Sequence, residues 1–123
     1  MRVELEEKLV RKFPILYRDY GGSPQKTCMA FGFECGDGWF DLIEDLSEKI
    51  IRLDPDAYAL CVKEKFGGLR FDVSSSSEEV GQIIHQACRK SFQICEKCGK
   101  SGKFRHNGWL RTLCDYCNNK EYE

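Results

Sequence analysis

Two pairs of cysteines near the C-terminus have the residue type and the spacing of a metal site. Two residues separate Cys95 from Cys98 and Cys114 from Cys117, and fifteen residues lie between the two pairs. Each pair can place two thiolates on one ion, and together they complete the tetrahedron that Zn²⁺ prefers, with Zn–S distances of about 2.3 Å. Four protein ligands leave no open position, so we expect a structural Zn²⁺ and not a catalytic one.

Two disulfides and a thioredoxin-like redox pair are the alternatives for these cysteines. Residues 1–8 are charged and lack the apolar core of a signal peptide, which predicts a cytoplasmic protein whose thiols stay reduced. A redox pair needs a single C-x-x-C in front of a helix in a βαβ unit, whereas this chain has two C-x-x-C pairs. Both alternatives therefore fit the spacing less well than a metal does.

Composition and charge limit the classes of partner. The 123 residues are 41% hydrophobic and 32% charged, and no apolar run is long enough to predict a membrane span. The formal net charge of −1 disfavours indiscriminate binding of polyanions. The charge is uneven, however, because residues 1–60 carry −4, residues 61–123 carry +3, and residues 89–111 carry +6.

The basic segment overlaps the cysteine pairs. Residues 103–105 and 109–111 flank Asn107-Gly108, a strong signal for a hairpin turn, so we predict a zinc ribbon whose folding depends on the metal. Cations on such a hairpin can contact phosphates, and aromatic side chains can stack on bases. The candidate nucleic-acid contacts are Lys100, Lys103, Phe104, Arg105, Trp109 and Arg111.

A second candidate site lies on a hairpin predicted from residues 57–66 and 69–73, with Gly67-Gly68 as its turn. A register with Lys65 opposite Arg70, and Lys63 opposite Asp72, places three cations on one face beside unshielded turn amides. This arrangement predicts a pocket for a phosphate or a carboxylate. The alternatives are a solvated strand face and ion pairs with acids of residues 41–48.

Several residues near these sites have both a structural and a functional interpretation. Trp39 is a candidate wall of the anion pocket, although its spacing favours the core, and Asp37 is a candidate helix cap. Glu64 falls on the apolar face of the hairpin, so it needs a buried partner unless it is functional. We expect Cys28, Cys35, Cys61 and Cys88 to be small buried hydrophobes, with a second metal site as the alternative, and His85 and His106 to lie on the surface.

The elements that must position these residues give an α+β fold. Hydrophobic periodicity predicts helices over 3–13, from Asp37 to about Leu53, and over 78–93, with Ser76 and Glu79 as a capping box. Residues 29–33 read as a short extended segment. We therefore expect three helices and one main hairpin in a core of residues 1–93, with the zinc ribbon, residues 94–123, packed on it.

Residues 62–71 (VKEKFGGLRF) resemble a sequence found in a family of small, largely uncharacterised phage and bacterial proteins. That family also has a Gly-Asp-Gly-Trp segment, here residues 36–39, and a Cys-Glu-x-Cys-Gly turn, here residues 95–99. Trp109 and the Thr-Leu-Cys-x-x-Cys ending at residues 112–117 extend the likeness over residues 35–117. The resemblance implies a phage or prophage setting and implies no activity.

Residues 113–120 also resemble the tail of HNH-type nucleases, which often carry four cysteines around their catalytic residues. Those enzymes need an Asp-His pair between the cysteine pairs, and here that interval holds His106 and no aspartate. The sequence therefore does not predict a nuclease.

The leading hypothesis is a non-enzymatic, zinc-stabilised binding protein that contacts nucleic acid or a phosphate-bearing ligand. One alternative is a protein that inhibits a host or defence enzyme, in which the acidic N-terminal half meets a basic partner. A second alternative is a sponge for a small nucleotide, centred on Lys63, Lys65, Arg70 and Trp39. No nucleophile–base or acid–base pair is visible, which disfavours catalysis.

Overall fold

The computed structural model describes residues 1–106 and 108–121 and has the expected α+β architecture. Its helices are α1 (Val3–Lys12), α2 (Phe40–Leu53), α3 (Glu78–Ser91) and α4 (Asp115–Glu121). Its strands are β1 (Ala59–Lys65), β2 (Gly68–Val73), β3 (Lys103–Arg105) and β4 (Arg111–Leu113). β1 pairs with β2 and β3 pairs with β4, both antiparallel. Among the described residues, no helix is both long and apolar enough to cross a membrane.

The core lies between the first three helices and one face of the β1–β2 hairpin. The helical periodicity predicted for α2 is confirmed, because Leu42, Ile43, Leu46 and Ile50 are all buried. From α1 and the segment after it come Leu9, Phe13, Leu16 and Tyr17, from the hairpin Val62, Leu69 and Phe71, and from α3 Val80 and Ala87. Burial of these side chains is the main favourable term in folding.

Glu6 lies on the buried side of α1, although it is a charged residue. Its side chain is buried and accepts hydrogen bonds from the Tyr20 hydroxyl at 2.8 Å and from the Phe33 backbone N–H at 3.1 Å. A buried carboxylate needs such partners, and residues far along the chain supply them here. Glu6 thereby anchors the segment after α1 to the core.

The predicted extended segment at residues 29–33 is wrong. Cys28–Phe31 forms a 3-10 turn, and the Thr27 side chain caps it by accepting a hydrogen bond from the Met29 N–H. Of residues 28–34, only Glu34 joins the β1–β2 sheet, through a parallel bridge to Lys63. A local side-chain cap therefore outweighed the strand-like composition.

Two helix caps also differ from the prediction. Ser77 caps α3, not Ser76, and its hydroxyl accepts from the Val80 N–H at 3.4 Å. Asp37 opens a 3-10 turn ahead of α2, and its side chain caps neither that turn nor α2. Its carboxylate instead accepts the Arg2 backbone N–H at 2.8 Å and pairs with the Arg2 guanidinium at 2.9 Å, which ties the N-terminus to this turn.

Candidate metal centre and neighbouring cleft

The four predicted ligands converge on one point. The Sγ atoms of Cys95, Cys98, Cys114 and Cys117 all lie within 4.8 Å of one another. Those of Cys98 and Cys114 are 3.6 Å apart. A tetrahedral ion with metal–sulfur bonds of about 2.3 Å requires sulfur–sulfur distances of roughly 3.8 Å. The group therefore has the ligand type, number and spacing to hold one metal ion.

The two pairs are positioned by different local structures. The first pair lies in a turn closed by a hydrogen bond of 2.9 Å from the Gly99 N–H to the Cys95 carbonyl oxygen, and Gly99 has a φ of 82°, which favours glycine. The second pair spans the start of α4, where the Cys117 N–H donates to Cys114 Sγ at 3.4 Å. Residues 94–106 and 108–121, which we call the cysteine module, thus contain a turn, a short hairpin and a helix, whereas the predicted ribbon had strands alone.

The thiols of this group differ in acidity. Burial raises the pKa of Cys95, but backbone N–H groups of Cys114, Cys98 and Lys97 outweigh it and bring that pKa down to about 7. Desolvation and the surrounding thiols raise the pKa of Cys117 to about 12. Four thiols this close cannot all ionise without a cation between them, which is the condition that a bound metal satisfies.

The Gly36-Asp37-Gly38-Trp39 segment is the socket that holds the metal-site turn. A Cβ atom on Gly38 would lie 2.1 Å from the Cys95 carbonyl oxygen, and one on Gly36 would lie 2.3 Å from that of Glu96. The Gly38 N–H donates to the Glu96 carbonyl oxygen at 2.7 Å. The module and the core therefore meet backbone to backbone, which only glycine permits.

Trp39 completes the socket from the core side. Its side chain is 0% exposed and donates its indole N–H to the Ile94 carbonyl oxygen at 2.9 Å. The prediction that Trp39 lines a ligand pocket is wrong, and its alternative interpretation as a core residue is confirmed.

Two of the predicted nucleic-acid contacts hold the module together instead. The Arg111 guanidinium lies 3.4 Å from the buried Glu96 carboxylate, whose other oxygen accepts the Gly36 N–H at 2.9 Å. Burial raises the pKa of Glu96, against the opposing effects of Gly36 and Arg111. Arg105 donates to the Asp115 carboxylate at 2.6 Å, and this hydrogen bond lowers the pKa of Asp115.

The register of the β1–β2 hairpin differs from the prediction by two residues. Lys63 lies opposite Arg70, and Lys65 lies opposite Gly68. The turn is therefore Phe66-Gly67, with φ values of 54° and 88°, as in type I′ turns. Because side chains alternate with a period of two, this shift leaves residues 62–65 and 69–72 on their predicted faces, whereas Phe66, which was predicted in the strand, lies in the turn.

Gly68 shows why the turn forms one residue earlier than predicted. It belongs to β2, and a Cβ atom on it would lie 2.3 Å from Cζ of Phe92. The glycine is thus required by packing within the strand and not by the turn.

The predicted anion pocket at the glycine turn is filled by the protein itself. The Glu64 carboxylate accepts the Gly67 N–H at 2.7 Å, so Glu64 has the structural partner that its position required. Arg70 is paired with Asp72 at 3.0 Å, and this hydrogen bond raises the pKa of Arg70. Of the three predicted cations, Lys63 and Lys65 form no ion pair within residues 1–106 and 108–121.

The hairpin turn and the cysteine module meet and leave a cleft beside their contact. A Cβ atom on Gly67 would lie 2.6 Å from Cε2 of Phe104, and the Phe104 and Phe92 rings meet edge to face at 5.5 Å. The cleft has a volume of about 420 Å³. Its described lining is Lys63, Glu64, Lys65 and Phe66 from the hairpin, and Gly108, Trp109 and Leu110 from the module.

Two large aromatic side chains of this cleft are open to solvent. Trp109 is 75% exposed and Phe66 is 69% exposed. Trp109 was predicted in a strand, but β4 begins at Arg111, so Trp109 lies in the loop between β3 and β4. The predicted Asn-Gly turn includes Asn107, which lies outside the described residues. No sequence signal singled out Phe66, because the exposure of its side chain follows from the shifted turn.

The remaining predicted residues lie apart from both sites or on their rim. Lys100, Lys103, His85 and His106 are exposed, as expected. Cys35 and Cys61 are buried as predicted, Cys88 is half-buried, and Cys28 is exposed, so the prediction is wrong for Cys28. Within the described ranges these four cysteines form no group that could hold a second metal.

Comparison with models of protein families, with curated proteins and with solved structures finds no match for this chain. The resemblance to phage and bacterial proteins is therefore untested and stays a prediction.

Proposed function

We propose that this chain is a non-enzymatic, zinc-stabilised protein that binds nucleic acid in the cleft between its hairpin turn and its cysteine module. One observation supports the proposal most: Phe66 and Trp109 are both exposed in the same cleft, beside Lys63 and Lys65. Stacking of a base on an aromatic ring contributes about 1–3 kcal/mol, and lysines bind the backbone phosphates. The cleft brings both kinds of contact together.

Phe66 is hard to explain by folding alone. A non-glycine residue in the left-handed region costs roughly 1–2 kcal/mol, and Phe66 has a φ of 54° there. The side chain regains little by burial, since 69% of it is exposed. Strain of this kind at an exposed aromatic residue is a feature of binding sites.

The metal would be Zn²⁺, because four thiolates favour it over the hard cations that bind oxygen ligands. When bound, it supplies folding free energy to the module and no reactivity, since no ligand position is open. The module forms one wall of the cleft, through Trp109 and Leu110. A bound Zn²⁺ therefore supports the binding surface indirectly.

Fewer cations are available to contact phosphates than the sequence predicted. Arg70, Arg105 and Arg111 are paired with carboxylates of the protein. Lys63 and Lys65 lie in the cleft, while Lys100 and Lys103 are exposed on the module and extend the basic surface beyond it. We expect the phosphate contacts to come from these lysines.

Fluorescence anisotropy with labelled single-stranded and duplex oligonucleotides tests the proposal. Affinity should fall as salt rises from 50 to 200 mM, with a log–log slope of about −0.7 for each phosphate contacted in a single strand. Trp109→Ala should weaken binding about 5- to 150-fold, which corresponds to 1–3 kcal/mol. Absence of binding to every nucleic acid at 50 mM salt would contradict the proposal.

Tyr116→Ala is the matched control. Tyr116 is 72% exposed, close to the 75% of Trp109, but it lies on α4 and does not line the cleft. This variant should bind as the unmodified chain does, and an equal loss in both variants would place the binding surface elsewhere.

A further inference from the structure

A carboxylate is an unexpected part of a cleft that would bind phosphates. Among the described lining residues, Glu64 is the one acidic side chain, and Lys63 and Lys65 precede and follow it in the sequence. Its Oε2 atom is held by the Gly67 N–H at 2.7 Å, and the described residues provide no hydrogen bond to Oε1. The turn therefore fixes the carboxylate in place, and among the described residues the lone pairs of Oε1 remain available to accept a hydrogen bond.

A fixed carboxylate discriminates among bases because it only accepts hydrogen bonds. Guanine presents two adjacent donors, N1–H and the N2 amino group, on its Watson–Crick edge. Adenine and cytosine present one amino donor beside a ring nitrogen acceptor, and uracil presents N3–H between two carbonyl oxygens. Only guanine can therefore satisfy a carboxylate without bringing an acceptor against it.

We propose that the cleft selects an unpaired guanine nucleotide, with Glu64 as the residue that determines base specificity. The inference rests on the proposed function and assigns its ligand class. Trp109 and Phe66 provide the stacking surface, Glu64 accepts from the guanine edge, and Lys63 and Lys65 bind the phosphate. Duplex is excluded from this site, because base pairing already uses the donors that Glu64 needs.

Lys65 fits this arrangement. Its Nζ atom lies over the Phe66 ring, 5.6 Å from the centroid, so the cation covers one face of the ring and a base would stack on the opposite face. A nucleotide joins its base and phosphate over a short distance, and the cleft of about 420 Å³ is within the range of ligand pockets. Glu64 and the two lysines leave opposite faces of β1, so a nucleotide would engage the aromatic, acidic and basic groups together by lying across the end of the strand.

The test uses the full, metal-loaded chain and a U-rich 12-mer that carries one central guanine, inosine, adenine, cytosine or uracil. Inosine keeps N1–H and lacks only the amino group, so it isolates one of the two hydrogen bonds. We expect guanine to bind about 5- to 150-fold more tightly than adenine or uracil, with inosine between them. Equal affinity for all five oligonucleotides would overturn the inference but leave the proposed function intact.

Glu64→Gln is the matching variant, because its amide oxygen can still accept the Gly67 N–H. It should abolish the preference for guanine without weakening the binding of the uracil oligonucleotide. Unchanged preference for guanine in this variant would overturn the role of Glu64. A melting temperature close to that of the unmodified chain shows that the turn is intact, and if the variant does not fold, the inosine comparison still decides the matter.

A thermal-shift arm with GMP, GTP, AMP and UMP distinguishes a free nucleotide from a guanine in a strand. A shift with GMP or GTP alone, without oligonucleotide binding, would support guanine recognition and contradict nucleic-acid binding. Oligonucleotide binding with a guanine preference, but no shift with mononucleotides, would assign the site to a strand. Binding of neither class would overturn both proposals.

Discussion

The Thr112 hydroxyl donates a hydrogen bond of 2.7 Å to the backbone carbonyl oxygen of Gly67, and Thr112 is completely buried. This contact joins strand β4 of the cysteine module to the turn of the main hairpin, 45 residues away in sequence. The two walls of the cleft are thus linked directly, and the position of Trp109 relative to Phe66 depends on the link.

Thr112→Val should loosen that link. The substitution removes the donor and leaves the buried Gly67 carbonyl oxygen without its partner, which costs about 1–3 kcal/mol. Chemical denaturation should show this loss of unfolding free energy, and oligonucleotide affinity should fall with it. Thr112→Ser keeps the hydroxyl and is the control, so comparable losses in both variants would show that the methyl group matters more than the hydrogen bond.

Gly38→Ala should disrupt docking of the module. The added methyl group would lie 2.1 Å from the Cys95 carbonyl oxygen, so the backbone must shift, at a cost of about 1–3 kcal/mol or more. Gly81→Ala is the control, because Gly81 lies in α3 and a Cβ atom there meets nothing within 4 Å. There we expect a gain of about 0.5–1 kcal/mol, because alanine is the better helix former. Thermal and denaturant unfolding measure the stability of both variants. Equal effects would contradict the close contact between Gly38 and the Cys95 carbonyl group.

Elemental analysis of the purified protein should find one zinc per chain. Its removal with a strong chelator should unfold residues 94–121, because binding contributes roughly 10–16 kcal/mol in small zinc modules. Cys114→Ser should lose the metal, and Cys28→Ser should retain it, since Cys28 is exposed and outside the metal group. Hydrogen exchange of the module, with and without metal, measures the unfolding, and full protection in metal-free protein would contradict a structural ion.

The cysteines outside the metal group should differ in how fast they are alkylated. Burial raises the pKa of Cys35 to about 12 and that of Cys61 to about 11, so both are protonated at pH 8. Iodoacetamide should label the exposed Cys28 first, as read by mass spectrometry. Labelling of Cys35 as fast as Cys28 would contradict the packing.

The same two thiols predict how stability depends on pH. Their pKa values are raised from 9.0, so the folded chain retains protons that the unfolded chain loses as pH rises. Their contribution to stability is complete below about pH 9 and declines as pH rises toward 12. Denaturant midpoints measured from pH 8 to 11 check the direction.

Features that depend on local spacing could be predicted from the sequence. The metal group follows from two C-x-x-C pairs, and the faces of the hairpin follow from alternation, which survives a shift of two residues. The helical faces of α2 and α3 follow from periodicity in the same way.

Features that depend on contacts between distant segments could not be predicted. The need for glycine at Gly38 comes from the Cys95 carbonyl group, and the burial of Glu6 comes from Phe33 and Tyr20. The exposed position of Trp109 follows from where β4 begins. These features become visible only in the folded structure, because no local sequence pattern signals a contact between distant segments.

Intrinsic fluorescence tests the central claim most directly, since the chain has two tryptophans with opposite environments. Trp39 is 0% exposed, whereas Trp109 is 75% exposed and lines the cleft. Titration with a guanine-containing single-stranded oligonucleotide should quench the emission, because a base stacks on Trp109. Trp109→Phe should bind the oligonucleotide with little quenching. Quenching that persists in this variant, or binding without quenching in the unmodified chain, would contradict nucleic-acid binding at the cleft.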